Sequence, residues 1–344
     1  MKPKIIIWGF PLHSHTHSYI HLGLYRAFNT LGYETYWFHD DNFPNPDEFD
    51  YSNSLVISEE YAAQRIPIVK SSTYFVHNTI NPSKYLDKEV RLIDIRFNVL
   101  EINDVNYSMV FDKEKLSKVD DFSFYNANAD DSVLADQWKK GISGYEALHL
   151  IWATDLLPDE FNFDDRFLKR SREFYFVGTL GGSNSLEMQR VLNSLNEIGV
   201  PFVHINPWQN PCSPEENKSY MQKSIISLDV RGSDFYHTNS NGQLELNGKP
   251  VTGGNHKKIG FIACRTLKQI SYGRFPGTNS KVTKDLLGDF VHYNDDEQQL
   301  PYDMMEIERN LDTDLVYSAM KHVQENHTFI NRANAILKVY NRGV

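Results

Sequence analysis

Between Leu246 and Lys284 the sequence carries no Asp or Glu, while the same 39 residues hold Lys249, Lys257, Lys258, Arg265, Lys268, Arg274, Lys281 and Lys284. The formal charge of −10 therefore splits into +8 on this stretch and −18 elsewhere. A single basic island in an acidic chain suits a small anion. Phosphate fits, because arginine offers its oxygens a planar fork and a helix start adds backbone N–H groups and a dipole. Gly277-Thr278-Asn279-Ser280 precedes a helical pattern and would supply such a start. The plainer alternative is a solvated basic face. Interleaved Ile259, Phe261, Ile262, Leu267 and Ile270 require that part of the segment packs, so some charges point into a cleft or snorkel.

The loop Gly178-Thr179-Leu180-Gly181-Gly182-Ser183-Asn184 is a second candidate for anion binding. It follows a strand pattern and precedes a helical one, and glycines let backbone approach a ligand closely. Thr179, Gly181 and Gly182 are the contacts expected there. The loop lacks the Gly-Lys-Ser/Thr of a P-loop and the Gly-x-Gly-x-x-Gly of a dinucleotide site, and a plain turn would need no function. The third cluster is His13-Ser14-His15-Thr16-His17, with His21 one helical turn on. Alternating histidines make poor core filler, since an unpaired imidazole is costly to bury. They suit a general base or hydrogen-bond donors to a substrate. Alternatively, His15 and His17 form a metal pair, with His77, His149 and Asp155 available downstream but set in no motif.

The elements that must position these residues read as alternating strands and helices. Lys4–Trp8 is a short apolar run of the kind buried in a parallel sheet. Ile20, Leu24, Ala27, Phe28 and Leu31 share a helical face, and Gly32 suits the position past the helix end. Residues 33–38 form the next strand, ending at His39-Asp40-Asp41, which completes a βαβ start. Apolar runs at 55–57, 74–76 and 92–95 continue the sheet. The pattern restarts at 173–177, with a helix over Met188, Val191, Leu192, Leu195 and Ile198 closed by Gly199, and a strand from Pro201 to Ile205. Ser213-Pro214-Glu215-Glu216 has the residues of a capping box with Pro at the first helical position. Residues 225–230 form another buried strand, 280–287 and 290–293 a last helix–strand step, and 315–340 a long helical segment.

The expected fold is α/β, with two Rossmann-like domains facing a cleft and a long C-terminal helical segment. The expected boundaries are 1–165, 166–320 and 321–344, the last packing back on the first domain. At 344 residues with 40% apolar and 13% aromatic side chains the chain can fill two cores and is not disordered. The net negative charge argues against coating nucleic acid or an anionic membrane. Cys212 and Cys264 are too few for a disulfide framework or a four-cysteine zinc site. No stretch reaches the ~20 apolar residues that span a bilayer, and the N-terminal apolar run is too short for a signal peptide. The chain reads as cytoplasmic, with no integral membrane segment; its oligomeric state is not read from these features.

Two such domains, a histidine-bearing loop after the first strand and a phosphate-suited C-terminal half resemble the GT-B class of glycosyltransferases. The segment that carries the likeness runs from Ala263-Cys264-Arg265-Thr266-Leu267-Lys268 through Tyr272 to Asn279-Ser280. It resembles the region where these enzymes hold a donor's diphosphate and ribose, although the Glu-x₇-Glu pattern of many members is missing. The resemblance implies a nucleotide-sugar donor, a glycan or other hydroxyl acceptor, and no essential metal or other cofactor. It places donor phosphates on Arg265 and Lys268, assisted by Lys281, Arg231 and Asn279-Ser280, with Tyr272 or Trp208 stacking on the base. His15 or His17 would be the catalytic base, with Asp40 a rival, and His13 and His77 would bind the acceptor. The competing expectations are a metal-dependent hydrolase using His13, His15 and His17, and a non-catalytic nucleotide-sugar-binding protein.

Overall fold

The computed structural model describes residues 2–77, 79, 83–96, 124–126, 146–178, 180, 184–207, 209–232, 237–238, 244–246, 249–250, 257 and 262–342. It divides into two compact units. The first takes in residues 1–97, 106–158 and 326–344, and the second residues 98–105 and 159–325.

In the first unit, β1 (Lys4–Trp8), α1 (Thr16–Thr30) and β2 (Thr35–Phe38) are followed by β3 (Ser54–Glu59), β4 (Thr73–His77), α2 (Ser83–Leu86), β5 (Arg91–Arg96), β6 (Phe124–Asn126) and β7 (Glu146–His149). The strands lie in the order β2-β1-β3-β4-β5-β7-β6. Every neighbouring pair is parallel except β6 with β7. Ile5, Ile6, Ile7 and Trp8 are wholly buried because β1 lies inside the sheet and is covered on both faces. Gly32, in the left-handed region at φ 73°, follows the helix cap at Leu31 and turns the chain into β2.

The second unit begins with β8 (Phe174–Val177), α3 (Ser185–Glu197) and β9 (Phe202–Ile205), a parallel pair with its crossover helix. Next come α4 (Pro214–Lys223), started by the Ser213/Glu216 capping box, and β10 (Ser227–Asp229). A small antiparallel ribbon of β11 (His237–Thr238), β12 (Leu244–Leu246) and β13 (Lys249–Pro250) precedes α5 (Cys264–Ser271). β14 (Pro276–Thr278), α6 (Lys281–Leu287) and β15 (His292–Tyr293) complete a parallel sheet ordered β10-β14-β15. Its core joins Phe174, Phe176, Val191, Leu195, Leu228 and Val230 to Leu300 and Met304 of α7 (Leu300–Arg309) and Val316 and Met320 of α8 (Thr313–Asn326). Both units are α/β with parallel strands. No helix among the described residues is long and apolar enough to cross a membrane.

The C-terminal segment is two helices, not one. The chain breaks at His327-Thr328, where Thr328 and Asn331 form a capping box that starts α9 (Phe329–Asn341). That break is also where the chain returns to the first unit. Arg332 is buried and holds the return, donating to the carbonyls of Ile151 (2.9 Å), Trp152 (2.9 Å) and Asn326 (2.8 Å). Arg91 at the start of β5 donates to the carbonyls of Tyr340 and Val339 near the other end of the helix. Between them Phe329 lies against α1 at Gly23, where an added Cβ would sit 2.2 Å from its ring.

Gly23→Ala therefore opposes two effects. Alanine gains roughly 1 kcal/mol in a helix interior, while a methyl forced into an occupied space costs about 1–3 kcal/mol. At 2.2 Å the overlap is with a ring rather than a flexible chain end, so the net expected outcome is destabilisation. A lowered urea midpoint at unchanged m-value would register it; a raised midpoint would mean that the ring moves aside at no cost.

Candidate functional sites in the two units

The chain runs from β1 to β2 on one side and then crosses to β3 on the other, so the sheet's strand order reverses beside β1. In open parallel sheets the ends of such strands form the natural ligand crevice. The histidine loop occupies that position. His13 is exposed and holds the left-handed conformation, φ 68°, which is uncommon for a residue with a side chain and marks a strained position. Its Nδ1 is 3.2 Å from the Tyr19 hydroxyl. His15 is the N-cap of α1: its Nδ1 accepts from the His17 backbone N–H at 3.2 Å, and its ring stacks on Phe10. An imidazole that accepts at Nδ1 carries its neutral-form proton on Nε2.

His17, His21 and His77 lie deeper. All three are buried, with ring centroids 6.1 Å apart for His17 and His77 and 6.2 Å for His21 and His77. The expectation that such histidines avoid the core is corrected here. His21 fits because residue 9 is glycine, where a Cβ would overlap the imidazole at 1.9 Å. Burial pulls the three imidazoles down to about 2 for His17, about 3 for His21 and about 4 for His77, with mutual repulsion adding to the effect at His17 and His21. Near neutral pH these rings are uncharged, and His17 is too weak a base for proton transfer. Among the described residues no group of three or more His, Cys, Asp or Glu is arranged to hold a metal ion, so the hydrolase reading gains no ligand set.

Asp40 is taken up by local structure. Its carboxylate accepts from the Trp8 indole N–H (2.8 Å) and from the backbone N–H groups of Gln64 (2.9 Å) and Arg65 (3.2 Å). It ties the end of β1 to the 64–65 turn, and a base role would compete with three bonds.

In the second unit the basic and glycine-bearing segments come together. Asp229, at the end of β10, is wholly buried and binds two arginines. Arg231 meets it through Nε (2.9 Å) and Nη2, and Arg265, in the first turn of α5, through Nη1 at 3.3 Å. Burial pushes the Asp229 carboxyl up, but the two guanidiniums outweigh it and hold the group below the usual carboxylate range. Arg265 also donates to the Val177 carbonyl at 3.0 Å and lies 4.3 Å from the centre of the Phe176 ring. Gly178 makes this approach possible: its φ is 141°, and a Cβ there would lie 2.3 Å from Arg265 Nη2. The start of the glycine loop and the head of α5 thus share one arginine. Thr179, Gly181, Gly182 and Trp208 lie outside the described residues.

The other expected donor residues divide differently. Asn279 is buried and accepts from Arg231 N (2.7 Å) while donating to Arg231 O (2.9 Å) and Glu297 (2.7 Å). It staples the arginine's backbone in place. Ser280 caps α6 through Thr283 N, and that helix is only seven residues long. Tyr272 is buried, with its carbonyl accepting from Gln222, the packing use that was open to it beside base stacking. Lys281 is surface-exposed and paired with Asp285. Lys268 is half-buried on α5. Sequence reasoning missed Asp229; its only signal was an acid inside the apolar run 225–230.

No family model and no curated protein sequence matches the chain. Solved structures similar to it include an alpha-glucosyltransferase in complex with UDP, 11% identical over 98% of this chain and 100% of that one, TM-score 0.46. Another is an alpha-glucosyltransferase in complex with UDP and a 13-mer DNA containing a HMU base, 9% identical over 98% and 100%, TM-score 0.47. A third is an alpha1,3-fucosyltransferase with GDP-fucose, 10% identical over 98% and 90%, TM-score 0.37. At these scores the chemistry of the site must be read from this chain's own residues.

The buried imidazoles set a pH dependence. Their folded pKa values lie below the ordinary 6.5, so the unfolded chain binds more protons on acidification. Their stabilising contribution is complete above about pH 6.5 and is lost as pH falls toward the folded values. At pH 5 each ring costs about 2 kcal/mol. Urea denaturation from pH 7 to 5 should show stability falling, with a smaller slope in His77→Gln. Equal slopes would show that the ring takes up no proton on unfolding in this range.

Proposed function

We propose that the chain is a nucleotide-sugar-dependent glycosyltransferase. The second unit binds the donor's diphosphate, and the first unit binds a glycan or other hydroxyl acceptor. The observation that carries this reading is the Asp229–Arg231–Arg265 cluster at the ends of β8 and β10. Two guanidiniums converge on one carboxylate, a buried anchor at a sheet edge where ligands bind. When a nucleoside diphosphate leaves the anomeric carbon, negative charge grows on its phosphate oxygens. A fixed guanidinium stabilises that charge without having to reorganise. The reading needs no metal for this step.

On the acceptor side the proton inventory favours His13. His15 has its Nδ1 engaged in capping, His17 is held far below the physiological range, and Asp40 accepts three hydrogen bonds. His13 is exposed, strained and set at the switch point of the sheet. It is the histidine of this loop best placed to meet an acceptor hydroxyl. His77 contributes to the same end of the sheet from below, as a neutral buried ring.

Thermal-shift and calorimetric titration with a panel of nucleoside diphosphates and nucleotide sugars, with and without EDTA, tests the reading. At least one should stabilise the protein, and EDTA should leave its affinity unchanged. Arg265→Ala should weaken that binding about 10- to 100-fold, the worth of a charged hydrogen bond, whereas Lys281→Ala and His15→Ala should change it less than about twofold. Stabilisation by none of the panel would overturn the assignment. Binding without turnover on any acceptor would instead favour a nucleotide-sugar-binding protein.

A further inference from the structure

Arg274 lies in the turn that enters β14, the central strand of its sheet, at the strand ends opposite Asp229. Its side chain is wholly buried, and Nε, Nη1 and Nη2 all lack a hydrogen-bond partner. A guanidinium cannot shed its proton to escape burial, so a lone buried one is very costly. The acids nearby do not satisfy it. Glu308 of α7 sits 2.5 Å from Arg170 Nε, yet both its carboxylate oxygens and Arg170 Nη2 are themselves buried without a hydrogen bond. Asp165 lies 2.8 Å from Lys218 Nζ, yet its Oδ2 is likewise buried without a hydrogen bond.

The group cannot relax apart easily. Gly273 holds φ 78°, and a Cβ on it would come within 2.6 Å of the backbone of Asp165 and Arg166. The turn carrying Arg274 is therefore pressed against the segment that leads to Arg170. Arg170, Arg274 and Lys218 set against Glu308 and Asp165 leave one positive charge in excess. Unlike the Asp229 cluster, this one has several N–H donors that no protein acceptor meets.

We infer that this group is a binding site for a small inorganic monoanion of about chloride size, seated against Arg274 and Arg170. The complete burial of Arg274 limits the size, the single excess charge sets the valence, and the unmet N–H groups supply the contacts. Because it lies at the strand ends remote from Asp229, the site is a structural or regulatory one and does not depend on the donor reading.

The test uses the full chain at constant ionic strength, with chloride or bromide replacing gluconate. The expected result is a saturable rise in Tm of about 3 °C or more by ~150 mM halide, lost in Arg274→Gln. Crystals grown in bromide should show an anomalous peak within hydrogen-bonding reach of Arg274, which decides the matter even if the variant does not fold. Phosphate and sulfate should give no such rise. Equal Tm in gluconate and halide with no bromide peak there would overturn the proposal. So would an Arg274→Met variant that is more stable than the parent by the same amount in every salt, since that would mark an unpaired buried charge and no bound ion.

Discussion

The second unit's candidate site depends on one buried carboxylate. Asp229 ends β10 and is the fixed point to which Arg231 and Arg265 are tied. Burying a carboxylate alone would be prohibitive, and burying either arginine alone would be as bad. Together they make a trio whose internal pairing covers the desolvation. Asn279 then fixes Arg231 through its backbone, and Glu297 fixes Asn279, taking Lys257 and Arg190 as further partners. The result is a rigid positive centre supported by neutralised neighbours. Under the proposed function, such a centre would meet a leaving diphosphate without the reorganisation that mobile lysines would need.

The first unit solves the opposite problem. Its strand ends gather rings that can form hydrogen bonds but are kept uncharged by burial, and its carboxylate Asp40 is spent on backbone N–H groups and an indole. The contrast between a charged cluster in one unit and neutral rings in the other follows from which titratable groups each unit buries and pairs.

Much of the architecture was legible because buried parallel strands leave continuous apolar runs, and 4–8, 55–57, 74–76, 92–95 and 174–177 all became strands. The Ser213 capping box and the glycines at 32 and 199 were legible for equally local reasons. The basic island was read less well, because charge along a chain says nothing about charge in space. Lys257 meets Asp295 and Glu297, Lys281 meets Asp285, Lys284 meets Asp289, and Arg265 meets Asp229. All of these acids lie outside the acid-free stretch. The histidines misled for a related reason: the cost of burying an imidazole falls once the ring stays neutral, and it can stay neutral at pH 7 far more easily than a lysine can. The break at His327-Thr328 was hidden by helical composition on both sides.

One device recurs in both units. The first strand of each ends in a glycine, Gly9 after β1 and Gly178 after β8, and in each case a side chain from a later helix occupies the space a Cβ would need. At Gly9 it is the His21 imidazole from α1, and at Gly178 the Arg265 guanidinium from α5. Loop flexibility is not what these glycines provide. Each removes a side chain at the carboxyl end of a strand so that a functional group from a helix can lie directly over the sheet edge. Any larger residue would displace the imidazole in one unit and the guanidinium in the other, and with the guanidinium would go one of the two arginine pairings that make Asp229 tolerable in the core. Gly9 and Gly178 thus set where these polar groups of the two units sit.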